Sequence, residues 1–218
     1  MDTPSVIGST PASRFWSLSG AGFVVLAVAA IAGLGGDTPD TNSSAEKVAT
    51  FYQAHQNREN LAAFVLAAAV PLLVVFGISL AFALWPAGRR PLWPALLIAG
   101  SVLAAGAFSL SAFIHFALAD SADSVTAATA QGLNALDGDT WIAFNSCLGV
   151  MMLGAAGSII TRAAGLRVLG WIALLLGVVL FIPFADFFGL LFTGIWIIVV
   201  SVLLFRRGSA FAGTDATA

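Results

Sequence analysis

Apolar residues gather along the chain in six long runs, 15–34, 61–85, 92–119, 141–161, 166–185 and 187–205, separated by short polar segments. The hydrocarbon core of a bilayer is ~30 Å thick and a helix rises ~1.5 Å per residue. About 20 apolar residues therefore cross it with every backbone N–H and C=O bonded inside the segment. All six runs meet that length. The third exceeds it, which predicts a tilt or a projection beyond the membrane. The fifth and sixth are parted only by the turn around Pro183 and Asp186. Joined, they would make ~60 Å of helix, twice the core, so they read as two spans. The predicted fold class is all-α, a polytopic bundle of six transmembrane helices with short extracytoplasmic helices.

Two polar segments, 37–60 and 120–140, are long enough to hold structure of their own. In the first, Ser43 with Glu46 three residues on is a capping-box pattern. Val48, Phe51, Tyr52 and His55 then recur at helical spacing. This predicts an amphipathic helix from about Ala45 into the second span, its apolar stripe on the membrane surface or on the other outer segment. In the second, Ser124 is placed to cap a short helix through about Leu136, with a turn at Asp137-Gly138-Asp139. A calcium loop needs more oxygens at tighter spacing than these aspartates provide. Asn42-Ser43-Ser44 matches a glycosylation acceptor, which matters only in a eukaryotic secretory host.

The basic residues set the expected orientation, because Lys and Arg flanking a span are retained in the cytoplasm. With alternating helices, Arg14, Arg89, Arg90, Arg162, Arg167, Arg206 and Arg207 share one side, while the other receives only Lys47 and Arg58. That second side also holds Asp37, Asp40, Glu46, Glu59, Asp120, Asp123, Asp137 and Asp139, with Asp186 at its boundary. Both termini are expected to be cytoplasmic. Residues 1–14 form one tail, 15–206 the transmembrane domain and 207–218 the other tail, in a plasma membrane. A cleavable signal is the competing reading of the first run, with Arg14 ahead of it and small residues at 29–32. The run is longer than a signal core and is read as a retained helix.

Composition agrees. Charged residues are 9% of the chain against 59% hydrophobic, and mean hydropathy is +0.97, too few charges to coat a water-soluble globule. A net charge of −2 provides no field for nucleic acid. The single cysteine, Cys147, excludes an intrachain disulfide and a Cys-based zinc site, and its apolar run points to an unreactive buried thiol. A loose repeat is visible. Gly77 and Gly88-Arg89-Arg90 match Gly154 and Gly165-Leu166-Arg167 in spacing, and Trp93-Pro-Ala-Leu-Leu resembles Trp171-Ile-Ala-Leu-Leu. Chance matches also arise in such a composition.

Several elements together resemble a known pattern. They are Gly36-Asp37-Thr38-Pro39 after the first span, the outer helix with Tyr52 and His55, and Asn134-Ala-Leu-Asp137 before the fourth span. The Leu-Gly-Trp171 helix and terminal Arg206-Arg207 complete it. The chain is similar to a family of uncharacterised six-helix membrane proteins of high-GC Gram-positive bacteria. That resemblance implies the topology and a plasma-membrane location, and brings no activity, cofactor or functional residues.

Polar residues at membrane depth are costly and mark candidate sites. His115 and Ser111 share a face near the outer end of the third span, Asn145 and Ser146 lie at the outer end of the fourth, and Asp186 sits at the outer turn. An outward-facing pocket of His115, Asn145 and Asp186, with His55 above it, is one reading. The other is plain interhelical hydrogen bonding, each bond worth ~0.5–2 kcal/mol, with Asp186 capping the sixth helix. His115→Ala is expected to leave folding largely intact. No G-x-S-x-G, HExxH or P-loop occurs, and two histidines make a His-based metal site improbable. No cofactor is expected. No Asp, Glu, Lys or Arg lies mid-bilayer, which argues against a coupled transporter. Pro71 could break the second span and expose carbonyls, which keeps transport open. Small residues, Ser101, Ala105, Ser109 and Ala112 on the third helix and Gly149, Gly154, Ala156 and Gly157 on the fourth, predict close packing there. The leading expectation is a non-enzymatic membrane protein that binds a partner protein or lipid through its outer cap, with self-association also open. A small-solute channel or facilitator comes second and an intramembrane enzyme third.

Overall fold

The computed structural model describes residues 15–36, 38–85 and 91–207. Arg14, Asp37, Gly88, Arg89, Arg90 and both tails lie outside the described residues. Within them the chain is all-helical, with no strand. Seven helices follow in order: α1 (Trp16–Leu34), α2 (Ala45–Ala83), α3 (Leu92–Ser121), α4 (Ala127–Asp139), α5 (Trp141–Arg162), α6 (Arg167–Val179) and α7 (Asp186–Arg207). Five segments are long and apolar enough to cross a membrane: α1, α2, α3, the run Ala127–Arg162 that joins α4 to α5, and α7. The fifth expected span is shorter than its hydrophobic run. Its α-helix is the 13-residue α6, and the chain turns from Leu180 to Phe184 before α7. Pro183 and a left-handed Phe184 (φ 72°) make that turn.

The helices form a closed ring in which each span touches the next in sequence, and α7 returns to α1. Neighbours run antiparallel. Gly77 meets Ser101 across α2–α3, Gly100 meets Met151 and Gly154 meets Leu97 across α3–α5, Gly177 meets Leu153 across α5–α6, and Gly20 meets Ser201 across α1–α7. This alternation puts Arg162, Arg167 and Arg206 at one end of the ring and Glu59, Asp137 and Asp186 at the other. Leu61, Phe64, Leu103, Phe113, Leu175 and Leu191 are all more than half exposed on outward faces, an apolar exterior suited to lipid.

The small residues do not make the single face expected of them. The backbone contact between α3 and α5 rests on Gly100 and Gly154, where a Cβ on either would run into the opposite main chain. Ser101 instead fills the space beside Gly77 of α2. Gly149 accommodates Phe181, Gly157 accommodates Trp93, Ala105 and Ala112 are buried, and Ser109 is exposed. The glycines paired by the proposed repeat also differ in use, since Gly77 faces the following helix and Gly154 the preceding one. Pro71 does not interrupt α2, which continues unbroken to Ala83.

At the end bearing Glu59 and Asp137, α4 and the first four turns of α2 form a cap over the ring. Its own small core contains Val48, Tyr52, Leu118, Ala119, Ala122 and Ala130. The caps fall one or two residues from their expected places. Ser44, rather than Ser43, accepts from the Lys47 N–H at 3.3 Å, and Thr126, rather than Ser124, accepts from the Thr129 N–H. Asp137-Gly138-Asp139 is helical and not a turn, so α4 ends three residues later than Leu136. Gly138 lies against the Thr41 side chain and Asp137 bonds to α3, contacts that hold this last turn in helical form.

Candidate functional site

Beneath the cap, three charged or chargeable side chains from three helices meet. Glu59 ends the outer part of α2, His115 lies one turn after Ser111 on α3, and Asp137 comes from the last turn of α4. His115 Nδ1 is 2.7 Å from Asp137 Oδ2, and Nε2 is 3.1 Å from Glu59 Oε2. An ionised carboxylate only accepts, so two carboxylates on one ring require both nitrogens to donate, or one carboxyl to carry the proton. Either way the trio shares one proton beyond that of a neutral imidazole. Glu59 is fully buried, and its other oxygen accepts from Arg58 Nη2 at 2.8 Å and Nε at 3.0 Å. Two carboxylates, Arg58 and the shared proton bring the cluster to neutrality. A buried ion needs that balance, because an unpaired charge removed from water costs several kcal/mol.

A second layer fixes the cap around this trio. Tyr52 Oη donates to Asn134 Oδ1 at 3.3 Å, and Asn134 Nδ2 donates to the Pro39 carbonyl at 3.2 Å. Tyr52 precedes the spanning part of α2; burial raises its pKa far above the usual value, with Asp137 and Glu59 adding to the rise. The phenol therefore stays a donor. Gln53, Gln56 and Gln131 donate to the carbonyls of Ala122, Asp120 and Ser43, tying α2 to the α3–α4 corner and α4 to the segment before α2.

His115 and Asp137 of the trio border a cavity of about 240 Å³, and Glu59 lies behind them. Its polar wall is His115, Asp137, Ser111 and Thr140, with Thr140 Oγ1 donating to the Asp137 carbonyl at 2.7 Å and lying 3.0 Å from Ser111 Oγ. Its floor is Phe108 and Phe144, stacked 4.6 Å apart. The remaining side is the end of α1, where Ala29–Leu34 is wound as a π-helix and Gly36 takes φ 43° beneath the Arg58 guanidinium. Wider turns of this kind recur where a helix borders a functional cavity.

The expected four-residue pocket divides. His115 lines this cavity and His55 does not. His55 Nδ1 is 2.8 Å from the Phe51 carbonyl and its ring stacks on Phe51, on the outer surface of the cap. Asn145 and Asp186 pair with each other at 3.0 Å, both buried, against a separate recess beside Trp141 and Phe184. Asp186 also opens α7, where its carboxylate meets the positive end of the helix. The sequence reading missed Glu59, Asp137, Tyr52 and Asn134 as members of the site. Spacing held one clue, since Tyr52, Glu59 and Leu66 lie seven residues apart on a single face of α2.

Both His115 nitrogens are taken up by carboxylates, and among the described residues no group of three or more His, Cys, Asp or Glu side chains is arranged to hold a metal ion. Comparison with protein-family models, curated proteins and solved structures finds no match to this chain.

Proposed function

We propose that the chain is a multi-pass plasma-membrane protein, its termini in the cytoplasm, that binds a partner protein or lipid through the cap on its outer side without catalysing a reaction. The observation that carries this reading is the cavity at His115. It is a small chamber with a charge-balanced polar wall and an aromatic floor, placed at the end of the ring that bears the carboxylates. Ligand sites commonly combine mostly apolar walls with a few fixed polar groups in this way. The orientation rests on the arginines collected at the opposite end. The channel reading rested on a break at Pro71, and α2 continues through that residue to Ala83.

Two measurements test this. With Cys147 replaced by alanine, a membrane-impermeant thiol reagent applied to intact cells is expected to label Asp123→Cys and to spare Arg89→Cys; the reverse pattern inverts the map. In nanodiscs, one fraction of a membrane extract, protein or lipid, is expected to raise the melting temperature of the native chain, and Ser111→Leu, which narrows the cavity, is expected to lose that rise. Equal shifts in both proteins would remove the cavity from the function.

A further inference from the structure

A second cavity adjoins the first and has the opposite chemistry. It is an apolar groove of about 440 Å³ between α1 and α7, walled by Phe23, Ala27 and Val28 on one side and by Leu190, Gly194 and Ile198 on the other. Ile31 and Phe108 line both spaces, so the polar chamber sits at the outer end of the groove. Along α1 the groove runs from Phe23 to Ala32, and along α7 from Phe187 to Ile198. At ~1.5 Å per residue these stretches are about 14 and 16 Å long. Half of a ~30 Å hydrocarbon core is about 15 Å. The groove is as deep as one leaflet and begins at the capped end.

Its rim residues Val28, Ile31, Phe187 and Leu191 are exposed on the outside of the ring, where lipid is the surrounding solvent.

We infer that groove and chamber are one seat for an outer-leaflet lipid, with an acyl chain in the groove and an uncharged, hydroxyl-bearing head in the chamber. This deepens the proposed function and rests on its placement of the cap outside the cell. The head follows from what lines the chamber. Among the described residues no Lys or Arg lines it, and both nitrogens of His115 are already held by carboxylates. A phosphate there meets the Asp137 carboxylate with no free cation to offset it. A hydroxyl instead donates to Asp137 and accepts from Ser111. A diacylglycerol-type lipid carries that head on chains of the required character.

Native mass spectrometry of the purified full chain, mixed with equimolar dioleoylglycerol and dioleoylphosphatidylglycerol, tests chain seat and head choice together. The native protein is expected to retain one dioleoylglycerol, preferred ~10-fold over the phospholipid. Gly194→Leu fills the groove without forcing the helices apart, because a Cβ there lies 3.5 Å from Val24, and is expected to abolish retention. Gly106→Leu, whose Cβ meets nothing within 4 Å, is expected to behave as the native chain. Asp137→Asn is expected to erase the preference, with its melting temperature recorded to separate that loss from unfolding. Equal or stronger binding of the phospholipid overturns the head assignment, and native-level retention by Gly194→Leu overturns the groove. If neither lipid is retained while a protein fraction still gives the Ser111→Leu-sensitive shift, the lipid seat fails and the proposed function stands. Inverted cysteine labelling removes both.

Discussion

Between α3 and α5, Gly100 and Gly154 bring two backbones into contact, and the pairing runs in constant register from Trp93 with Gly157, through Leu97 with Gly154, to Gly100 with Met151. Between α1 and α7, Gly194 leaves Val24 at ordinary van der Waals distance, and a groove separates the helices over half their length. Lipid tails are as apolar as leucine, so helices in a membrane gain nothing by hiding apolar surface from them. Contact must come from close fit. The first seam has that fit along its length and fixes the ring; the second has it only near Gly20, and leaves an opening.

The contrast is sharpest where a side chain is forced into the tight seam. Gly154→Leu is expected to give the largest effect, more than ~4 kcal/mol, because the clash is with the Leu97 backbone and no rotamer relieves it. Size-exclusion chromatography should show loss of the monodisperse species. Next is His115→Ala, which takes one partner from fully buried Glu59 while Arg58 keeps the other oxygen, and is expected to destabilise by ~1.5–3 kcal/mol. The expectation from sequence is that folding stays largely intact; thermal unfolding of the reconstituted protein decides between the two. Asn145→Ala removes the donor to Asp186 and should cost ~1–3 kcal/mol by the same measurement. Gly106→Leu, on the exposed side of α3, should stay within ~0.5 kcal/mol of the native chain. A large loss there would mean that this face is covered.

How much of this could be read from the chain differs between spans and site. Hydropathy located the five segments long and apolar enough to cross a membrane, because length and apolarity are what a bilayer demands of every turn. The short α6 departs from that rule, since Pro183 and Phe184 end its run in a turn that hydropathy does not register. In the site, His115 and Ser111 stood out as polar residues inside an apolar stretch. Their partners did not. Glu59 and Asp137 lie in outer segments where a carboxylate is unremarkable, and only the fold brings them to the same ring. Asp137-Gly138-Asp139 has the local chemistry of a turn, and long-range contacts overrode it. His55 shared the helical stripe with Tyr52, yet its position on that stripe turned it outward against Phe51.

Ring order has a consequence for biogenesis. Every seam of the ring but one joins apolar segments that follow each other in sequence, so insertion into a bilayer from the amino end would build an open arc. Only when α7 arrives does the circle shut, against the helix that entered first. Its loosest joint is also its youngest, and whatever occupies the gap between first and last helix at that moment must either leave sideways or remain inside.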